Sequence, residues 1–291
     1  MNAYPECFPC QLRTALNALN KATKDENTKK EVMLEVLKIL LDHGYEYPPP
    51  RVFKEIMKTI KNNTYNHDPY KEEKKLQNRN MLKLYAQFKK EVLKSQKLIL
   101  NALLLSGAGN LIDAVINNNN TLTTDLNSIF KKGFLIDEFC DFKKALSKAN
   151  TLLLIADNSG EVVLDKLLVE ILKEYYPHLQ IFLAVRGAPV LNDVTLDDLK
   201  EMGFDDICSI ISTGDDTPGI ILEFVSSEFK KIFEVSDLIV AKGQGNFETL
   251  ESLGDPRIFF LFWAKCEVIK NYLGLRESGP LLFRSRLCAK S

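Results

Sequence analysis

From residue 150 onward, short apolar runs alternate with stretches of helical spacing, and no other feature of this 291-residue chain constrains its fold as much. The spacing predicts strands at 152–156, 181–186, 207–211, 238–242 and 258–262, with another near 281–284. Helices are expected between them, at 161–174, 195–202, 219–233 and 246–252. Strands joined through helices pair in parallel and carry the helices on the faces of the sheet. The expected class is therefore α/β, with a Rossmann-like three-layer αβα core and a mostly parallel sheet.

The first hundred residues read differently. Apolar positions recur at threes and fours over 9–22, 27–43, 49–62 and 69–98, which predicts helices. Breaks fall at 24–27, at Pro48-Pro49-Pro50 and at 62–69, where Asp68 before Pro69 suits a helix start. The Lys-rich run at 71–75 reads as a solvated helix face. An apolar helix from Leu98 to Leu105 runs into Ser106-Gly107-Ala108-Gly109-Asn110-Leu111-Ile112-Asp113. The expected division is a helical N-terminal subdomain over 1–105 and an α/β core over 106–291.

A net charge of −1 creates no global field that would recruit nucleic acid or an acidic membrane. No apolar run approaches a bilayer span, and MNAYPECFPCQLRTAL lacks the layout of a secretory signal, so a cytoplasmic protein is expected. No heptad seam or self-complementary patch marks an oligomer. Cys7 and Cys10 form a lone C-x-x-C. Without a second such pair a zinc ribbon is not indicated, and a local disulfide, a partial metal site or plain packing stay open.

The chemistry is concentrated after the strands, at the edge where open α/β sheets place their ligands. Asp157-Asn158-Ser159-Gly160-Glu161 follows the first core strand. Arg186, with Asn192-Asp193 a few residues on, follows the second, and Ser212–Gly219 the third. Lys242-Gly243-Gln244-Gly245 ends the fourth. Each loop taken alone could simply cap a helix. Together, two acid–amide pairs, an arginine and a lysine at strand ends point to phosphate chemistry. Asp157, Asn158 and Asp193 supply hard oxygen ligands suited to Mg²⁺ or Mn²⁺, with positions left for water and a phosphoryl oxygen. Lys242 and Arg186 could offset phosphate charge, and backbone N–H groups near Gly160, Gly243 and Gly245 could line the remainder. Ser159 and Asn192 are further candidate substrate contacts. Glu161 either orients a water or sits in the first helical turn, where negative charge is favoured. Neither a P-loop nor a G-x-G-x-x-G fingerprint is present.

DNSGEVVLDKLL, RGAPVLNDVTLDD, KGQGNFETL and KCEVI resemble the motifs of the damage-control phosphatases, the metal-dependent family once called domain of unknown function 89. The leading C-x-x-C, HDPY at 67–70 and GNLID at 109–113 resemble its archaeal and bacterial branch. The resemblance spans the chain in order. It implies hydrolysis of phosphomonoesters of small metabolites, such as sugar phosphates or damaged nucleotide and cofactor derivatives. It also implies Asp157, Asn158 and Asp193 as ligands of a divalent ion (Mg²⁺, Mn²⁺, Co²⁺ or Ni²⁺) and Lys242 as a phosphate contact. Asn110 and Asp113 match a polar pair bordering the pocket. Gln244 stands where other branches carry Asp, so no acidic role transfers to it. Asp157, Asp193 and Glu161 are all candidates for the catalytic base, and an aspartyl-phosphate on Asp157 stays open. Two alternatives are an S-adenosylmethionine-dependent carboxyl methyltransferase and a non-catalytic phosphometabolite sensor. KCEVI also places Cys266 in a motif, and with Cys7 and Cys10 three thiols could bind a soft metal or form a redox clasp.

Overall fold

A computed structural model describes residues 1–116, 122–200 and 202–286, with the side chains of 110–116, 122–125 and 127 outside the description. Seven strands form one sheet: β1 (Ile136–Asp137), β2 (Thr151–Ile155), β3 (Gln180–Val185), β4 (Ser209–Ser212), β5 (Leu238–Lys242), β6 (Ile258–Ala264) and β7 (Gly279–Arg284). Their order is β1-β7-β6-β5-β2-β3-β4, parallel throughout except for the β6–β7 pair. The α/β class expected from the alternation is the one observed. From β2 the chain winds outward through β3 to β4, then returns to β5 on the other side of β2 and continues to β6. The winding direction therefore reverses between β2 and β5, and in an open sheet that reversal opens a crevice beyond the carboxyl ends of the strands.

The long helices are α1 (Cys7–Ala22), α2 (Glu26–His43), α3 (Pro49–Thr64), α4 (Lys71–Leu93), α5 (Leu98–Ile116) and α8 (Glu161–Tyr175). Shorter ones are α6 (Leu122–Lys132), α7 (Phe139–Leu146), α9 (Leu196–Leu199), α10 (Ser227–Val235), α11 (Gly243–Leu250) and α12 (Glu267–Tyr272). Local chemistry sets several starts. Asp25 accepts the Thr28 N–H at 2.7 Å to cap α2, and α3 opens on proline. No helix among the described residues is long and apolar enough to cross a membrane.

Four details depart from the sequence reading. First, α5 runs unbroken through 105–106, and α4 and α5 pack on α8 within one core cluster, while α1–α3, which we call the cap, pack with Tyr70 and Val190 in an apolar cluster of their own. Second, Lys74 is not solvated: it is 1% exposed and pairs with Asp68 and Asp198, each at 3.0 Å, so a lysine in a polar run staples α4 to the core. Third, the helix expected from 219 begins only at Ser227. Residues 219–220 are held to the core by Arg186 Nη1 on the Gly219 carbonyl (3.1 Å) and by the Ile220 N–H on Thr249 Oγ1 (3.0 Å), and Ser226 then caps α10. Fourth, the helix expected over 195–202 is only the single turn of α9, closed by a capping box between Thr195 and Asp198.

Candidate active site

The loops after β2 and β3 are bound to each other by backbone. The Ser159 N–H donates to the Asn192 carbonyl and the Val194 N–H to the Asp157 carbonyl, both at 2.9 Å. Asn158 and Asp193 form an isolated antiparallel bridge. Val190 and Leu191 pack into the cap cluster, with Leu191 at a left-handed φ of 45°, and the Asp193 N–H closes the turn onto the Val190 carbonyl at 3.0 Å. Asp157, Asn158, Asn192 and Asp193 thereby line one cavity of about 310 Å³, which Glu161 and Gly243 also border.

Gly243 is required there by sterics. Its φ is 77°, and a Cβ on it would lie 2.1 Å from Cγ of Asp157. Gly243→Ala is expected to displace the Asp157 carboxylate and lower kcat/KM by about 10²-fold, measured alongside far-UV circular dichroism to show an intact fold.

The electrostatics are lopsided. Removal from bulk water pushes Asp157 well above the usual carboxylate range, and the neighbouring Asp193 and Glu161 push it further. Burial also raises Asp193 against the pull of Arg186, and raises Glu161 against that of Lys242. Arg186 pairs with Asp193 and Lys242 with Glu161 and Asp165, while Lys74 and Lys265 also act on Asp193 and Glu161; Asp157 has no ion pair among the described residues. A buried carboxyl without an ion pair, beside two further oxygen-bearing side chains, fits a divalent cation. Among the described residues no group of three or more His, Cys, Asp or Glu side chains is arranged to hold a metal. An ion at this wall would rest on two carboxylates and the Asn158 amide oxygen. Asn158 also donates from Nδ2 to Asp157 Oδ2 at 2.5 Å, which fixes the pair's relative orientation. First-turn residues of α3, α8 and α11 border the cavity, and helix N-termini favour anions.

Three expected phosphate contacts are committed elsewhere. Lys242 is fully buried, and its ammonium donates to Glu161 Oε1 (2.5 Å), Asp165 Oδ1 (2.7 Å) and the Ser106 carbonyl (2.9 Å). Burial opposes its charge, but Asp165 and Glu161 outweigh that and raise its pKa. All three donors are taken by protein oxygens, and Lys242 is not among the residues lining the cavity. Arg186, 1% exposed, commits three of its five N–H donors, from Nε to Asp193 Oδ2 (2.7 Å), from Nη1 to the Gly219 carbonyl and from Nη2 to Asn246 Oδ1 (both 3.1 Å), and it is not among the residues lining the cavity. The Gly160 N–H donates to Asn78 Oδ1 at 2.6 Å, anchoring the loop to α4. Ser159 is buried and is not among the residues lining the cavity. The side chains of Asn110 and Asp113 lie outside the described residues.

Other residues border the cavity without having been singled out. Lys265 directly follows β6, and it acts electrostatically on Glu161. The strand-end rule that picks out Asp157 would have found it. Glu248 on α11 lines the wall, with burial pushing its carboxyl up to about 7. The cap contributes Cys10, Gln11 and Thr14 from α1 and Pro49, Pro50 and Phe53 from α3. Cys7, Cys10 and Cys266 do approach one another, yet all are free thiols and, as noted above, form no metal-holding group. Burial raises the Cys7 and Cys10 thiols, which disfavours the thiolate a soft metal needs.

Comparison with known proteins agrees with this architecture. A family model described as the damage-control phosphatase ARMT1-like domain matches residues 3–279. A damage-control phosphatase of Pyrococcus horikoshii is 31% identical, over 98% of this chain and 99% of its own length. One of Archaeoglobus fulgidus is 28% identical, over 94% and 96% respectively. A crystal structure of a DUF89 family protein from Pyrococcus horikoshii superposes with a TM-score of 0.88 at 29% identity, covering 98% of this chain and all of the other. The chain belongs to the ARMT1-like damage-control phosphatase family.

Proposed function

We propose that this protein is a divalent-metal-dependent phosphatase that hydrolyses phosphomonoesters of small metabolites. The observation that carries the reading is the meeting of Asp157, Asn158 and Asp193 on one cavity wall, at the sheet's switch point, with both carboxyls raised by burial. The archaeal relatives named as damage-control phosphatases support it.

Asp157, Asn158 and Asp193 would hold the ion. When bound, Mg²⁺, Mn²⁺, Co²⁺ or Ni²⁺ supplies charge neutralisation to the phosphoryl group and acidity to a coordinated water. The chain's own residues do the rest. Lys265 and the helix N-termini draw the phosphate dianion into a cavity that is otherwise acidic. Glu161, held in place by Lys242 and with its carboxyl raised by burial, is suited to take the proton from the attacking water. Cap helices α1 and α3 roof the site and limit its access to bulk water.

Phosphate release from a panel of sugar phosphates and nucleotides, each assayed with the four ions, tests this reading. Release with at least one ion is expected; binding of the same compounds without release would make the protein a sensor instead. A pH effect follows from the raised carboxyls. Asp157 and Asp193 keep their protons as pH falls through their elevated folded-state values, and an entering cation must displace those protons. The rise in melting temperature produced by Mn²⁺ should therefore shrink steadily as pH is lowered, and scanning calorimetry across pH measures it.

A further inference from the structure

We infer that Gln11 and Glu248 read the hydroxyl groups of the substrate's organic part, making the cap side of the cavity a polyol-recognition surface. The inference rests on the phosphatase reading of the same cavity. Gln11 lies on α1, borders the cavity and is only 5% exposed. Its Oε1 has no hydrogen-bond donor among the described residues. A buried amide oxygen without a donor is rare in folded proteins, and one bordering a ligand cavity points to a donor that arrives with the ligand. Helical spacing sets Cys10 and Thr14 on the same face, so a continuous strip of α1 looks onto the cavity.

Glu248 comes from α11 and lies near enough to Cys10, the neighbour of Gln11, to act on its thiol electrostatically. Its side chain borders the cavity, and burial pushes its carboxyl up to about 7. An amide carbonyl and a carboxyl lining one cavity both accept hydrogen bonds, which the hydroxyls of a polyol can donate. Phe53, Pro50 and Trp263 supply apolar faces between these polar groups, as the C–H faces of a polyol require. The acidic wall with Asp157 would then take the phosphate end and the cap the polyol end.

The test compares two esters of primary six-carbon alcohols, glucitol 6-phosphate and hexyl phosphate, assayed with Mn²⁺. They share leaving-group class and length and differ in hydroxyls. Wild-type protein is expected to prefer glucitol 6-phosphate by on the order of 100-fold in kcat/KM, because an unpaired polar site rejects the bare chain. Gln11→Met, close in volume, should reduce that preference about tenfold, mainly through KM. Glu248→Met should do the same, and it carries the readout if Gln11→Met does not fold. A merely structural role would lower both esters in equal proportion, and that result, or a wild-type protein with no preference, overturns the inference while leaving the phosphatase reading intact. Failure of wild type to release phosphate from these esters and from the wider panel overturns that reading and this inference with it.

Discussion

Replacing Asp157 by Ala is expected to abolish metal-dependent phosphate release while raising the melting temperature of the metal-free protein. The activity loss follows from removing a carboxylate on the cavity wall, and groups that stabilise developing charge typically contribute at least 10²–10³-fold to rate. The stability gain follows from the sign of the pKa shift. Asp157 is raised in the folded protein by burial and by Asp193 and Glu161, so the native state holds a proton that the unfolded chain releases. Stability of the metal-free protein therefore falls as pH rises from the ordinary carboxylate range through the raised value. Asp157→Ala removes that penalty, so its advantage over wild type should grow with pH. Calorimetric melts of both proteins in chelator, at about pH 5 and about pH 8, give the comparison. A variant less stable than wild type at the higher pH would show that Asp157 supports the fold instead of straining it.

Lys242 should behave in the opposite way. Lys242→Ala is expected to cost about 3–5 kcal/mol of folding stability, because it leaves Glu161 and Asp165 buried without a counter-charge. Asp165 already has one oxygen, Oδ2, buried without a partner, which makes the network intolerant of further loss. A lysine whose only task was to bind phosphate would give a different result, with weakened substrate binding and unchanged or improved stability. Urea denaturation of the metal-free variant separates the two roles before any activity is measured. Lys242→Arg is not a conservative control, since the planar guanidinium cannot replace an ammionium-sized donor fitted to three acceptors at 2.5–2.9 Å.

Much of the fold was legible because apolar periodicity reports which elements are buried, and β2, β3, β5 and β6 lie within a residue or two of their expected positions. The placement of Asp157 and Asp193 was legible for a related reason: strand ends in a parallel sheet share an edge, and the reversal between β2 and β5 puts the crevice there. What spacing could not convey is which polar side chains spend themselves on one another. Arg186 and Lys242 look like ligand contacts in one dimension, yet only the packing of α5 and of the loop at Gly219 shows protein acceptors taking all three Lys242 donors and three of the five on Arg186. Lys74 is the same lesson in reverse, a residue that looks solvated until Asp68 and Asp198 converge on it. Gln11 carried no motif and Glu248 stood in KGQGNFETL without a role, since their relevance depends on the cap resting over a loop far away in sequence.

The central claim is that Asp157, Asn158 and Asp193 grip one divalent ion, and calorimetric titration of Mn²⁺ into chelator-treated protein tests it most directly. Wild type should bind one ion per chain at this wall, and Asp193→Asn should weaken that binding by on the order of 10–100-fold as one of only two carboxylate ligands is lost. Equal affinity and stoichiometry in the two proteins would contradict the account.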